Sequence, residues 1–169
     1  MLRRTLGACL LIASAVTPAL SGPPVLAALP FQGTTEGTHV SRTPLEEDGT
    51  FFDVFELSGV ATQLGQFDLV IGTSVDFRTR PVTGAGTSTF TAANGDQVVA
   101  HGTGSSALLP SGEVEITEHS IIDPDQSTGR FAGATGTYTH KRTVDPVTGV
   151  GGITAGSFEG TITLATGQN

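Results

Sequence analysis

The stretch 127-STGRFAGATGTY-138 places Gly129, Gly133 and Gly136 within eight residues, around a single phenylalanine, Phe131. Two kinds of structure call for glycine at that density: a loop wrapped around a phosphate, and a strand whose backbone is approached closely. A phosphate loop needs its glycines between a strand and a helix N-terminus, usually with a lysine close behind. Here the chain continues as 137-TYTHKRTV-144, which is β-branched, and Lys141 lies on that run. The stretch therefore reads as a strand coiling hard at the corner of a closed barrel, with Phe131 turned into the core.

The rest of the chain agrees with an all-β fold. After Ala28 no window of ten or more residues shows a helical repeat of apolar positions. Thr, Val, Gly and Phe predominate, with turn signals at short intervals. In 89-TFTAANGDQVVAHG-102, Asn94-Gly95 is the favoured two-residue hairpin turn. Closed that way, Phe90 lies opposite Val99, Thr91 opposite Val98, and Ser88 opposite His101. Further strands are predicted at Thr35–Arg42, Phe52–Thr62, Gln66–Phe77, Glu113–Ile122, Phe131–Val144 and Gly156–Ala165, about eight in all with the hairpin pair. The loops 123-DPDQSTG-129 and 145-DPVTG-149 share Asp-Pro openings and Thr-Gly ends, a recurrent turn chemistry. The fold expected is a closed antiparallel β-barrel of about eight strands.

At these residues the chain resembles a known family. TGRFAGATG is similar to the motif of the plant allene oxide cyclases and dirigent proteins, matched at Gly129, Phe131, Ala134 and Gly136. GVATQLG (59–65), TFTAANGD (89–96) and GSFEGTI (156–162) look like segments of bacterial exported proteins that share this barrel and mostly lack an assigned role. The resemblance implies an eight-stranded antiparallel barrel, often a homo-oligomer in the plant members, whose lumen accepts a hydrophobic molecule. Gln126-Ser127 stands where a glycine pair usually precedes the motif. None of the plant enzymes' catalytic positions is matched, so the resemblance assigns no catalytic residue. A lipocalin would carry Gly-x-Trp near its start, and the chain has no Trp.

The N-terminus has the three-part layout of a signal peptide: Arg3 and Arg4, an apolar run over Leu6–Leu20, then small residues. Cleavage is expected after Ala27, with Ser21 the alternative. Pro18 interrupts the run, which is too short for a spanning helix. This leaves Ala28–Asn169 as a single β-barrel domain, secreted or held in the periplasm or envelope, with no stable membrane insertion after cleavage. The only cysteine, Cys9, leaves with the signal, so the domain is disulfide-free. The net charge of −8 becomes −10 without Arg3 and Arg4. A surface of that sign repels phosphate backbones, so no nucleic acid partner is expected.

Candidate sites are few. Asp123, Asp125 and Ser127 alternate as calcium ligands do, but Thr128 and Ala134 occupy the places of the required Gly and Glu, so the loop reads as an Asp-Pro turn. His39, His101, His119 and His140 fall on four different strands without metal-binding spacing and read as scattered solvent-facing histidines. No metal and no cofactor is expected. In 113-EVEITEHSII-122, Glu118 shares a strand face with Val114, Ile116 and Ile122. A carboxyl on an apolar face would have a raised pKa and could exchange protons with a guest. The alternatives are a bulge that turns Glu118 outward, or a structural ion pair with Arg130 or Arg142. By the predicted register, His101 shares a face with Phe90 and Val99.

Three functions fit. In the first, the barrel binds a small hydrophobic ligand without catalysis, with Phe side chains such as Phe90 as walls and Glu118 or His101 as polar anchor. In the second, it is a cofactor-free cyclase or isomerase that works by positioning its substrate in the lumen. In the third, it is a structural, envelope-associated β domain whose lumen is packed solid.

Overall fold

The computed structural model describes residues 26–145 and 149–165. The expected signal segment lies outside them except for Leu26 and Ala27. The strands are β1 (Leu29–Pro30), β2 (Gly33–Arg42), β3 (Thr50–Ala61), β4 (Gly65–Asp76), β5 (Thr83–Ala92), β6 (Gln97–Leu108), β7 (Val114–Ile122), β8 (Thr135–Val144) and β9 (Ile153–Thr163). Each of β2 to β9 pairs antiparallel with the next, and β9 returns to pair with β2. The result is a closed eight-stranded barrel, with β1 as a short extra strand on β9. Closure leaves no free edge among the eight, which removes the main aggregation hazard of a β protein.

Alternation along β3 and β4 turns one face of the sheet into the barrel. Along β4, Phe67, Leu69, Ile71 and Thr73 are buried while Gln66, Asp68, Val70 and Ser74 face out. The same period of two runs through β3, with Phe51, Asp53, Phe55, Leu57 and Ala61 inside.

The inward residues differ in size along the barrel axis. One end, called the lower end below, is filled by an aromatic plug. Between β1 and β2 the chain turns Phe31 into the lumen, where its ring lies 5.0 Å from Phe158 and 5.6 Å from both Phe90 and Tyr138. Phe67 completes the group, 5.4 Å from Phe90. Most of these ring pairs are tilted or edge-on, the arrangements that favour ring quadrupoles beyond simple area burial.

Two expectations from the sequence are corrected. The glycine-rich stretch is not strand throughout: Gly129–Phe131 forms a 3₁₀ turn and β8 begins only at Thr135. Gly129 and Gly133 have φ of +58° and +75°, which glycine adopts without strain. Gly136 alone serves a strand approach, since a Cβ there would lie 2.1 Å from the carbonyl oxygen of Thr161 on β9. Phe131 is fully buried, as expected, although it reaches the core from a turn.

The second correction is the β5–β6 register. Phe90 pairs with Val98, Thr91 with Gln97, and Ser88 with Ala100. The loop is Ala93-Asn94-Gly95, with the Gly95 N–H donating to the Ala92 carbonyl and Gly95 at φ +89°. This is a three-residue hairpin, a turn followed by a left-handed glycine, rather than the two-residue form. The difference of one residue reverses the face of every side chain on β6 relative to β5.

A half-open lumen as candidate functional site

The upper half of the lumen is a cavity of about 510 Å³, open at the end opposite the plug. Residue size explains it. On β5 and β6 the inward positions above the plug are Gly84, Gly86, Ser88, Gly102, Gly104 and Ser106, all of which line the cavity. The strands on either side of this pair supply the apolar lining, with Phe51, Phe55, Ile71 and Val75 from β3 and β4 and Ile116 and Val144 from β7 and β8.

The charged groups in the cavity form two clusters. At the rim, Asp53 on β3 accepts hydrogen bonds from Arg42 Nε and Nη2, both at 2.7 Å, and from His39 Nε2 at 3.1 Å. His39 Nε2 also lies 2.9 Å from the Ser41 carbonyl, which can only accept, so the proton sits on Nε2. His39 and Arg42 are three residues apart and would face opposite ways on a regular strand. A register shift between His39 and Ser41 pairs Arg42 directly with Asp53 and brings both side chains to one face.

The floor holds the second cluster. Glu118 on β7 pairs across the ladder with His140 on β8, and Arg142 lies two residues further along that strand. Glu118 Oε2 is 3.4 Å from Arg142 Nε and 3.6 Å from His140 Nδ1, and His140 Nε2 is 2.9 Å from the Thr35 hydroxyl. Arg142 also stacks over Phe55, its guanidinium carbon 4.1 Å from the ring centre. Burial alone would raise the Glu118 pKa. The adjoining His140 and the Arg142 charge outweigh it and hold the carboxyl at about 2. The expected direction is thus reversed: Glu118 does share the apolar face, but its partners across the ladder keep it ionised. Tyr138, just below, is pushed up to about 12 by burial. The Ser88 and Ser120 hydroxyls moderate that rise without reaching hydrogen-bonding geometry to the Tyr138 hydroxyl.

Carboxylate, imidazole and hydroxyl in a row suggest a nucleophilic relay. Its geometry points elsewhere. Thr35 and His140 are 3% and 2% exposed and neither lines the cavity, so the hydroxyl lies beneath the floor, away from any guest. The row ties β2, β7 and β8 together and orients Glu118.

The other candidate residues are dispersed. His101 faces outward, because of the three-residue hairpin, and contacts Asp123 and Thr87 at 3.0 Å. Phe90 is fully buried in the plug and does not line the cavity. His119 is also on the outer face, bonded to Thr139, so His39 and His140 depart from the expectation that all four histidines face solvent. Asp123 accepts from the backbone N–H groups of Asp125 and Gln126, the turn expected of its Asp-Pro opening. Among the described residues no group of three or more His, Cys, Asp or Glu side chains is arranged to hold a metal ion. Arg130 rests on the Phe131 ring, leaving Arg142 as the partner of Glu118. The sequence pattern of the rim cluster gave no signal, because the bulge that assembles it leaves no mark in the residue types.

Comparison with family models, with curated proteins and with solved structures finds no match to this chain.

Proposed function

We propose that this protein is an exported binding barrel of the allene oxide cyclase/dirigent type that holds one small, largely apolar molecule in the upper half of its lumen. The cavity carries this reading: about 510 Å³, within the range of small-molecule sites, apolar along the strands flanking β5 and β6 and closed at the bottom by the aromatic plug. Three inward positions on β5 and three on β6 carry only glycine or serine, and close approach of the neighbouring strands excludes a Cβ at Gly86 and Gly102, so the space above the plug stays open. The cyclase alternative draws on Glu118, which lines the cavity as a carboxylate. A carboxyl held at about 2 is a weak base and a poor proton donor at neutral pH, so this favours binding over proton transfer.

The test is titration of the purified protein with N-phenyl-1-naphthylamine, a neutral apolar dye that brightens in dry sites. Saturable one-to-one binding is expected, and Ile116→Trp, which places a large ring inside the cavity, should abolish it while the protein stays folded. Dye binding that is absent, or is unchanged by Ile116→Trp, would rule the lumen out as the site.

A further inference from the structure

The floor of the cavity contains a cation whose hydrogen bonds are incomplete. Arg142 has a side chain with no exposure, and its only ion pair among the described residues is the 3.4 Å contact between Nε and Glu118. Its two terminal nitrogens, Nη1 and Nη2, are buried and have no hydrogen-bond partner among the described residues. Those nitrogens carry four N–H donors on the end of a planar fork. Buried donors without partners cost free energy, and those of a charged group most of all. Arg142 also lines the cavity, so an acceptor group on a guest is the missing partner closest to hand.

The distribution of charge points the same way. Among residues 26–169 there are six cationic side chains, and three of them, Arg42, Arg80 and Arg142, line this one cavity. Of the 16 acidic residues only Asp53, Glu118 and Asp145 do. Residues 26–169, with a net charge of −10, thus place half of their cations around the lumen. Arg80, at the rim, donates to the backbone carbonyls of Phe77 and Thr79.

We infer that the guest is a compact apolar carboxylic acid that enters head-first, with its carboxylate on the Nη1–Nη2 edge of Arg142 and its apolar body against Phe51, Ile71 and Ile116. The inference rests on the binding function proposed above. A carboxylate meets the guanidinium fork with two parallel charge-assisted hydrogen bonds, which neither an alcohol nor a single carbonyl can do. Glu118 occupies the Nε side, leaving the terminal edge for the guest. The plug confines the guest to half the barrel's length, which favours a ring over an extended chain.

The experiment compares two ring compounds that differ in the head group: 2-naphthoate, ionised at pH 7, and 2-naphthalenemethanol. Each is used to displace N-phenyl-1-naphthylamine from the purified protein. The acid is expected to compete at least ten-fold more strongly than the alcohol. Arg142→Met should erase that preference while the dye still binds, and Arg142→Lys, which keeps the charge but not the fork, should fall between. Should these variants not fold, Glu118→Gln provides an independent readout. It leaves Arg142 without its resident anion, so 2-naphthoate should raise its melting temperature more than that of the parent protein, and the alcohol should not. Equal competition by acid and alcohol, a preference that survives Arg142→Met, or no selective rescue of Glu118→Gln would each overturn the inference and leave the binding function standing. Failure of the dye itself to bind would instead remove the binding function.

Discussion

Replacing Glu118 with Gln tests the floor cluster directly. The side chain keeps its size and loses its charge, so Arg142 becomes a buried guanidinium with no anion beside it. The size of the effect follows from the carboxyl's pKa. An ordinary value of 4.5 lowered to about 2 corresponds to about 3 kcal/mol of stability carried by the ionised form, at ~1.36 kcal/mol for each pH unit. The sign is fixed by linkage: the folded state binds the proton less readily than the unfolded chain. The contribution is therefore complete above the unfolded value near 4.5 and is lost as pH falls toward 2. Urea denaturation of both proteins at a series of pH values from 7 to 2 is the assay. The parent should exceed Glu118→Gln by about 3 kcal/mol at pH 7, with the gap narrowing below about pH 4.5 and nearly closed at pH 2. The exposed carboxylates Asp48, Asp76 and Asp123, also held low by their hydrogen bonds, titrate in both proteins and cancel in the difference. A gap that is small at pH 7, or that does not change with pH, would refute the account of the floor as an ion cluster held by its charge.

Asp53→Asn at the rim should cost less than the change at Glu118, about 1 to 2 kcal/mol by the same urea assay, because Arg42 is 43% exposed and can turn to water whereas Arg142 cannot. The reverse order would mean that the rim, not the floor, is the more desolvated cluster. Phe90→Ala removes the ring at the centre of the plug and should cost about 3 to 5 kcal/mol in chemical denaturation. A loss below about 1 kcal/mol would show that the plug is not well packed. Gly95→Ala has open space around the new methyl but a φ of +89° to accommodate, so a loss of about 1 to 2 kcal/mol without any change in dye binding is expected.

The sequence pattern was legible where a strand stays regular and misleading where one residue is inserted. β7 carries no bulge, so parity placed Glu118 on the same face as Ile116 and Ile122, where it is found. Asn94-Gly95 marked a hairpin correctly, but the same dipeptide serves two-residue and three-residue loops. The choice between them sent His101 outside. The direction of the Glu118 pKa was misjudged for a different reason. Its environment is set by β8, and which residues of β8 face it depends on a register that no local pattern states. The rim cluster was out of reach altogether, since it depends on the β2 irregularity between His39 and Ser41.

The division of each strand between plug and cavity has an evolutionary consequence. β5 contributes Phe90 to the anchoring core and Ser88, one inward position away, to the wall of the cavity. Residues that shape the cavity are thus next in line to those that pack the plug. Substitutions at Ser106 or Ile116 can reshape the cavity away from the ring cluster, whereas Ser88 sits beside Tyr138. Variation that changes the cavity's shape is therefore expected first at Ser106 and Ile116, and least at Gly86 and Gly102, where any side chain would meet the neighbouring strand.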